Sequence, residues 1–280
     1  MASDSARISP TAHYTGFVWY RHGLSPPRLA TRRGRVMFHA LQGPMAIASR
    51  ATGVLTLEQM LLQRHLMIDH FLEEAIAAGH VTQVVEVAAG MSGRGHRFMS
   101  RHPDLRYVEA DLPGMIARKA EALGPRPARH RLVAIDALVD EGPMSLSHEV
   151  TPELDAATGC ALITEGLLTY FDPLSVNGMW SRFVRLLSNH PRGLYLSDAH
   201  LEDAAHNAPF SKAFRRFLGA FARGRVHLLA RTPEQLVARL QGHGFEQARV
   251  HLPREHPEIA NLPSGGPDFQ RVLSARLGAW

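Results

Sequence analysis

A run of small residues followed by an acidic residue has the composition and spacing that would bind an adenosine-containing cofactor. Residues 86–95 read Glu-Val-Ala-Ala-Gly-Met-Ser-Gly-Arg-Gly, and small side chains there let the backbone approach a ligand closely. Asp111 follows Gly90 by 21 residues, a spacing that suits a carboxylate accepting hydrogen bonds from ribose hydroxyls. We therefore expect Gly90 and Asp111 to contact such a cofactor.

The same segment discriminates between two classes of cofactor. A nicotinamide cofactor would require Gly-x-Gly-x-x-Gly before a helix, and the register from Gly90 supplies Gly90, Ser92 and Gly95, a broken match. Glu86 within the first strand would be awkward beside a pyrophosphate, but it could attract the ammonium of a methionine moiety. Arg64, from the preceding helix, could bind the methionine carboxylate bidentately. This combination predicts S-adenosylmethionine as the cofactor.

Simpler roles for the same charged residues stay open. Glu86 could be a structural carboxylate that holds the N–H groups of the turn, and Asp111 could cap the helix that follows it. Arg64 falls on the apolar stripe of its helix, where an uncompensated guanidinium would be costly, so it requires an anionic partner. That partner could be internal, Asp69 or Glu73, or the Arg64 stem could carry the charge to water.

These residues require a scaffold that positions them. Apolar residues at three- and four-residue steps predict a helix over residues 56–78, with Thr56 as its N-cap and Gly79 as its stop. The predicted strands are 83–90, 105–111, 131–135, 161–164, 193–197, 247–252 and 271–277, and the other main helices are 113–123, 173–187 and 232–241. Strands that alternate with helices in this way predict an α/β fold, a doubly wound, mostly parallel sheet of Rossmann-like type. Its ligands would bind beyond the carboxyl ends of the strands.

The flanks of this pattern differ from its centre. Residues 1–54 are rich in Gly, Pro, Arg and aromatic residues and have weak periodicity, which predicts short helices and turns that form a cap over the active site. Residues 55–280 would form the main domain, with a helical lid insertion at about 201–230. Both covering segments combine aromatic and arginine side chains, a mixture able to stack a flat anionic substrate.

Composition excludes several classes of protein. With 45% hydrophobic and 20% charged residues, the chain is not collagen, a coiled coil or disordered. Its one cysteine cannot form an internal disulfide, so we expect a cytoplasmic protein. No stretch reaches the roughly 18 apolar residues of a membrane span, so we expect no membrane contact. The net charge of +5 favours anionic partners, but no basic tract with interleaved aromatics indicates nucleic acid. No metal site is predicted, and the sequence does not reveal the oligomeric state.

Five motifs follow one another in the chain. They are the Arg64-bearing helix, Glu86-Val-Ala-Ala-Gly90, Tyr107-Val-Glu-Ala-Asp111-Leu-Pro, Ile135-Asp136-Ala137-Leu138 and Thr164-Glu165-Gly166-Leu-Leu-Thr-Tyr170-Phe171. Over about residues 55–200 they resemble the successive motifs of the leucine carboxyl methyltransferase family. Within it, the chain is most similar to the bacterial branch of polyketide carboxyl O-methyltransferases typified by the tetracenomycin pathway. The resemblance implies the class I S-adenosylmethionine-dependent methyltransferase fold with helical lid segments.

The resemblance also implies roles for individual residues. Arg64 would hold the carboxylate of the cofactor, Gly90 would permit the close approach in the first turn, and Asp111 would bind the ribose. These three roles agree with those inferred above from residue types and spacing.

Two later motifs would complete the cofactor site. Asp136 with Ala137 would face the adenine, and Glu165 would lie near the methionine amine. The chain departs from the family at Ser92, where an acid is common, and at Ala137, where leucine is common. The first departure affects the contacts of the loop, and the second affects packing.

The implied reaction is an in-line methyl transfer from a sulfonium, for which an enzyme mainly supplies position. A carboxylate acceptor is already ionised at pH 7 and needs no general base, whereas a phenol with a pKa near 10 needs one. His200, at the end of the fifth predicted strand, is the candidate base, and its alternative is an ordinary surface or capping histidine. Tyr170 could border the transferred methyl group or simply pack in the core.

Three functions from different classes are therefore compared. The first is a small-molecule O-methyltransferase acting on a carboxylate or phenol, and it accounts for most of the motifs. The second is an NAD(P)-dependent oxidoreductase, which would bind a nicotinamide cofactor in preference to S-adenosylmethionine. The third is a nucleic-acid-binding protein, which would bind oligonucleotides with a steep dependence on salt.

Overall fold

A seven-stranded sheet forms the centre of the protein, in a computed structural model that describes residues 10–202, 227–265 and 270–280. The strands are β1 Gln83–Val87, β2 Arg106–Asp111, β3 His130–Ala134, β4 Cys160–Thr164, β5 Arg192–Ala199, β6 Gln247–His251 and β7 Arg271–Gly278. Their order is β3-β2-β1-β4-β5-β7-β6; the first five are parallel, and β7 is antiparallel to both β5 and β6. The prediction of a doubly wound, mostly parallel sheet is confirmed.

The helices flank this sheet. They are α1 Pro10–Arg21, α2 Arg32–Thr52, α3 Leu57–Ala77, α4 Arg94–Arg101, α5 Pro113–Leu123, α6 Leu146–Glu149, α7 Pro173–Leu187 and α8 Pro233–Gly242. Helix α3 begins with a capping box in which the Thr56 hydroxyl accepts from the Gln59 N–H and the Gln59 side chain accepts from the Thr56 N–H. Gly79 follows its end with φ of 70°, the left-handed conformation that stops a helix.

The central strands are buried on both faces because helices cover each side. All five residues of β1 and all five of β4 are buried, and β4 is apolar apart from Thr164, whereas β1 also buries Gln83 and Glu86, which both have hydrogen-bond partners. Successive β1 residues alternate between two cores. Val84 packs with Met67, Ile68 and Phe98 from α3 and α4, whereas Val85 and Val87 pack with Trp180, Phe183 and Leu236 from α7 and α8.

The N-terminal segment is more regular than its sequence predicts. Residues 32–52 form one helix of 21 residues, α2, although we expected only short helices and turns there. Gly34, Gly43 and Pro44 obscure its periodicity, and tertiary packing stabilises the helix instead. Phe38 is 1% exposed and packs on α1 through Phe17, with ring centroids 5.4 Å apart.

Part of the covering region can be placed. Helix α1 lies against the loop after β1, where a Cβ added at Gly16 would be only 3.0 Å from the Met91 Cβ. Most of the predicted lid at about 201–230 lies outside the described residues. None of the helices in the described part of the chain is long and apolar enough to cross a membrane.

Candidate active site

The loop after β1 has a backbone shape that brings it close to the end of β2. Ala88 and Gly90 both have left-handed backbone conformations, with φ of 56° and 50°. The Asp111 carboxylate accepts hydrogen bonds from the Gly90 and Leu112 N–H groups, each at 2.7 Å. Asp111 therefore holds the turn in place. Its alternative role as a helix cap is wrong, because α5 is capped at Leu112 without a side-chain hydrogen bond.

Burial raises the pKa of Asp111, although the backbone N–H groups of Gly90 and Leu112 and the nearby Lys119 act in the opposite direction. Each carboxylate oxygen accepts one backbone hydrogen bond and keeps a second lone pair. The predicted contact between Asp111 and ribose hydroxyls is compatible with this geometry and stays a prediction.

A fully buried arginine that we did not predict as a site residue joins three carboxylates of the site. Arg94, the first residue of α4, donates to Asp69 Oδ1 at 2.7 Å, Glu86 Oε1 at 2.5 Å and Glu165 Oε2 at 2.6 Å. The three carboxylates come from α3, β1 and the residue after β4. Only folding brings them together, and the Arg94 guanidinium has enough N–H groups to satisfy them all.

Glu86 is 2% exposed, and both of its oxygens have partners. One accepts from Arg94, and the other accepts from the Tyr107 hydroxyl at 2.8 Å. Glu86 is thus a structural carboxylate, although it holds a guanidinium rather than the N–H groups of the turn. Its predicted contact with the methionine ammonium stays a prediction and would compete with these two donors.

Arg64 has the anionic partner that its position on the apolar stripe requires. Its Nε donates to Glu165 Oε1 at 3.0 Å, and its Nη1 donates to Asp198 Oδ2 at 3.1 Å. The expectation of Asp69 or Glu73 as an internal partner is wrong. Those two acids pair instead with arginines and a histidine on or after α4, namely Arg94, Arg97, Arg101 and His102.

Asp198 is a further site residue that the sequence analysis missed. It lies near the end of β5, is 2% exposed, and its Oδ1 accepts from the Gly166 N–H at 2.6 Å. Glu165 follows the neighbouring strand β4, so the two carboxylates meet at one edge of the sheet. The signal in the sequence was an acid at the end of a strand, as for Asp111, and we considered only His200 from that segment.

Gly166 must be glycine for two reasons. Its φ is 67°, and a Cβ added there would lie 2.8 Å from Arg64 Nη2. A side chain at this position would therefore have to displace the Arg64 guanidinium.

The electrostatic balance of this cluster favours a cationic ligand. Burial works to raise the pKa of Glu165, but His65, Arg94 and Arg64 outweigh it and hold that pKa well below its usual range. Burial, assisted by Arg94, lowers the pKa of His65, which stacks on Trp19 with ring centroids 4.1 Å apart. His65 is therefore neutral at pH 7. The cluster then has a net charge of −1, from four carboxylates and three guanidinium groups: Asp69, Glu86, Glu165, Asp198, Arg64, Arg94 and Arg97.

Asp136 and Ala137 lie beyond the carboxyl end of β3, beside the end of β2. The Ile135 N–H donates to the Asp111 backbone oxygen at 2.9 Å, so the two segments are adjacent. Asp136 Oδ1 accepts from the Leu138 N–H, and the Ala137 carbonyl accepts from Arg182 Nε at 3.0 Å. The predicted cofactor residues thus lie on or after the carboxyl halves of β1 to β4, except for Arg64, which reaches Glu165 from α3. The adenine contact itself stays a prediction.

His200 is not an ordinary surface residue, and its alternative role as a helix cap concerns residues after 202, which lie outside the described part of the chain. Its side chain is 19% exposed, and Nδ1 lies 3.9 Å from Asp198 Oδ2, beyond hydrogen-bonding distance. Within the described part of the chain, this nitrogen has no hydrogen-bond partner. Burial lowers the pKa of His200, so its imidazole is neutral at pH 7 and able to accept a proton.

Tyr170 is 41% exposed, so the alternative that it packs in the core is wrong. It ends the short 3₁₀ helix Leu168–Tyr170, and its side chain hydrogen-bonds to that of Thr11 in α1. Burial of the hydroxyl raises the pKa of Tyr170, although Arg64 and Thr11 oppose this. Tyr170 thus links α1 to the edge of the site, and its proximity to a transferred methyl group stays a prediction.

Comparison with known proteins decides the family. The model of leucine carboxyl methyltransferases matches residues 27–183, more than half of the chain. The chain belongs to the leucine carboxyl methyltransferase family. A predicted S-adenosyl-L-methionine-dependent methyltransferase of Streptomyces coelicolor is 31% identical over 210 residues, which are 72% of this chain and 68% of that protein.

Other relatives match this chain over shorter stretches. A predicted S-adenosyl-L-methionine-dependent methyltransferase of Mycolicibacterium smegmatis is 34% identical over 137 residues, 48% of this chain and 43% of the relative. The chain spans about two fifths of the length of the curated relatives that it matches first. A solved structure of a predicted methyltransferase from Thermobifida fusca shares the fold, with a TM-score of 0.68, 14% identity, and coverage of 99% of this chain and 97% of that one.

These findings confirm the predicted family and the class I methyltransferase fold. They also confirm S-adenosylmethionine as the cofactor of the family to which the chain belongs, and they argue against an NAD(P)-dependent oxidoreductase.

Proposed function

We propose that this family member transfers the methyl group of S-adenosylmethionine to an oxygen of a small, anionic, aromatic molecule of polyketide type. The acceptor oxygen belongs to a carboxylate or a phenol. One observation carries the proposal: Arg64, Glu165 and Asp198 meet at the carboxyl ends of β4 and β5, beside the tight turn at Gly90. This is the edge at which α/β sheets bind their ligands.

The residues present fit this cofactor. S-adenosylmethionine has two positive groups, an ammonium and a sulfonium, and one carboxylate. A cluster with a net charge of −1 that includes two partly exposed guanidinium groups, Arg64 and Arg97, complements both signs. In the turn, a Cβ added at Gly90 would meet no atom closer than 3.9 Å, which leaves space for the adenosine part beside Asp111.

When bound, the cofactor supplies the electrophilic methyl group. The chain contributes position, because Asp111 fixes the Gly90 turn, and Glu165 and Asp198 fix the Arg64 guanidinium. A carboxylate acceptor would need nothing further, since it is already a nucleophile at pH 7. For a phenol, the neutral imidazole of His200 would accept the hydroxyl proton, with Asp198 stabilising the imidazolium from 3.9 Å.

Calorimetric titration with S-adenosylhomocysteine tests the cofactor. We expect the wild-type chain to bind and Asp111→Ala to lose most of its affinity, because the Gly90 turn loses its anchor as well as the ribose contact. Asp104→Ala, at an exposed position before β2, is the matched control and should bind like wild type. An absence of binding by a folded wild-type chain would refute the proposal.

A panel of aromatic carboxylates and phenols, assayed with radiolabelled S-adenosylmethionine, tests the acceptor. His200→Gln separates the two chemistries. Methylation of a phenol should fall by about 100-fold in this variant, the typical contribution of a general base, whereas methylation of a carboxylate should be unaffected. Methylation of neither class by a chain that binds the cofactor would refute the proposed acceptor.

A further inference from the structure

A second cluster of charged side chains lies on the outer side of α3 and does not belong to the cofactor site. It consists of His70, from α3, and His256 and Glu258, which follow the short 3₁₀ helix Pro253–Glu255 after β6. One donor atom from each residue lies within 4.8 Å of the other two. We propose that His70, His256 and Glu258 bind a zinc ion that joins α3 to the connection between β6 and β7.

Two of the three donor–donor distances within the cluster are close to those of a tetrahedral site, and the third is within 4.8 Å. His70 Nε2 and His256 Nδ1 lie 3.5 and 2.9 Å from the same oxygen, Glu258 Oε1. Zinc–ligand bonds of about 2.0–2.1 Å at tetrahedral angles place neighbouring donors about 3.4 Å apart. Small side-chain rotations therefore suffice to surround an ion. Two imidazoles and one carboxylate are a ligand set that zinc uses in proteins, with water in the fourth position.

A hydrogen-bond chain behind His256 orients its ring. His256 Nε2 lies 3.2 Å from His251 Nδ1, and His251 Nε2 lies 2.8 Å from Ser274 Oγ on β7. Ligating histidines commonly donate their other N–H group to such a partner. If His256 Nε2 donates to His251 and His251 donates to Ser274, the lone pair of His256 Nδ1 is directed towards Glu258 and is available to a metal ion. The Phe71 ring packs on His251 with centroids 4.2 Å apart and restricts its rotation.

The cluster is accessible and carries compensating charge. The side chains of His70, His256 and Glu258 are 24%, 14% and 51% exposed, so an ion can enter from solvent. Glu74, one turn after His70, lies 3.5 Å from His70 Nε2 and is largely exposed. It can replace the water molecule as a fourth ligand or balance the charge of the ion.

The position of the cluster indicates a structural role. Helix α3 also carries Arg64, His65 and Asp69 of the charged cluster at the candidate active site, and its Gln63 donates to the Pro263 carbonyl at 2.8 Å. A zinc ion at His70 would fix the β6–β7 connection to the same helix. Sequence analysis predicted no metal because the first ligand lies far in the chain from the other two.

Calorimetric titration of the untagged, chelator-treated chain with zinc chloride tests this proposal. We expect one zinc ion per chain. His256→Ala and Glu258→Gln should each lower the affinity by about 100-fold or more, since the loss of even an outer partner of a ligand costs 10–100-fold. Cobalt(II) should bind the wild-type chain with the visible absorption of a four-coordinate site, and the variants should lack it.

His22→Ala is the matched control. It removes another histidine bonded to a glutamate, since His22 Nε2 lies 2.7 Å from Glu58 Oε1, but among the described residues that pair is not part of a group of three possible metal ligands. Zinc binding should be unchanged in this variant. His70→Gln, which retains a polar side chain of similar length, covers the case in which an alanine variant does not fold. No stoichiometric binding by wild type, or equal binding by wild type and both ligand variants, would overturn the zinc site. The cofactor titration described above is independent of this result.

Discussion

Replacing Arg94 with methionine should destabilise the protein strongly, because it leaves three carboxylates without their shared partner. Arg94 has no exposed side-chain surface, and Asp69, Glu86 and Glu165 all lie within 2.7 Å of its guanidinium nitrogens. Breaking a buried ion pair by removing one partner costs about 3–5 kcal/mol. Arg97 and Arg64 keep some charge near Asp69 and Glu165, but among the described residues only the Tyr107 hydroxyl then remains bonded to Glu86.

Urea unfolding followed by circular dichroism measures this loss as a change in the free energy of unfolding. In thermal scans, about 3–5 kcal/mol corresponds to a fall in Tm of about 6–20 °C for a domain of roughly this size. A second change in the same molecule, Glu86→Gln, should restore part of the loss, since it removes the charge with the fewest remaining partners.

Arg101→Met is the matched control on the same helix. Arg101 pairs with Glu73 at 3.0 Å, but their side chains are 49% and 37% exposed, so this substitution should cost at most about 1 kcal/mol. If Arg94→Met yields no soluble protein, Arg94→Lys is measured instead, because one ammonium cannot reach three carboxylates. A loss at Arg94 no larger than that at Arg101 would refute the conclusion that Arg94 organises the site.

Three further predictions follow from the same cluster. Gly166→Ala should weaken S-adenosylhomocysteine binding and cost about 1–3 kcal/mol of stability, because φ is 67° and the new Cβ would meet Arg64. Gly142→Ala is the control for the backbone cost alone, since Gly142 also has a positive φ but no atom lies within 4 Å of an added Cβ. Equal effects of the two substitutions on binding would contradict the prediction. The low pKa of folded Glu165 contributes stability that is present above the usual pKa of 4.5 and lost as the pH falls below it. The free energy of unfolding of Glu165→Gln should therefore depend less steeply on pH below 4.5 than that of wild type. Parallel curves of this free energy against pH for the two proteins would contradict the prediction. Because the pKa of His65 is lowered in the folded chain, burial of His65 disfavours folding progressively as the pH falls below 6.5. His65→Gln should therefore reduce the fall in Tm between pH 6.5 and 5. An unchanged slope of Tm against pH would show that His65 is not the group responsible.

Much of the fold could be predicted because its signals are local. The helix with Arg64 was predicted over residues 56–78 and observed over Leu57–Ala77, since its cap, stop and apolar period all lie within the segment itself. Each predicted strand agrees with an observed strand to within a few residues, because buried β-branched runs bounded by turn residues have few other structures available. The prediction of only short helices and turns within residues 1–54 was wrong at α2, because Gly34, Gly43 and Pro44 weaken local propensity while packing on α1 and α3 stabilises the helix.

The candidate site was predictable only in part. Gly90 and Asp111 are 21 residues apart and follow adjacent parallel strands, so their spacing predicted that both lie at one site, but the hydrogen bond between them was not predicted. The pairing of Arg64 could not be read in the same way. Its partners Glu165 and Asp198 are more than 100 residues away, whereas the acids close to it in sequence pair with residues on or after α4.

By itself, the sequence determined which segments become strands and helices, and it specified the family through motifs that each lie within a few residues. Only the tertiary structure decided which acidic side chain pairs with which basic side chain. The buried carboxylates of the site pair with guanidinium groups that are close in space, and the strand order β1-β4-β5 brings three distant segments to α3 and α4. Arg94, Asp198 and the histidines of the proposed zinc site acquire their roles there, because the strength of an ion pair or a metal bond depends on distance and burial, which no local pattern of residues encodes.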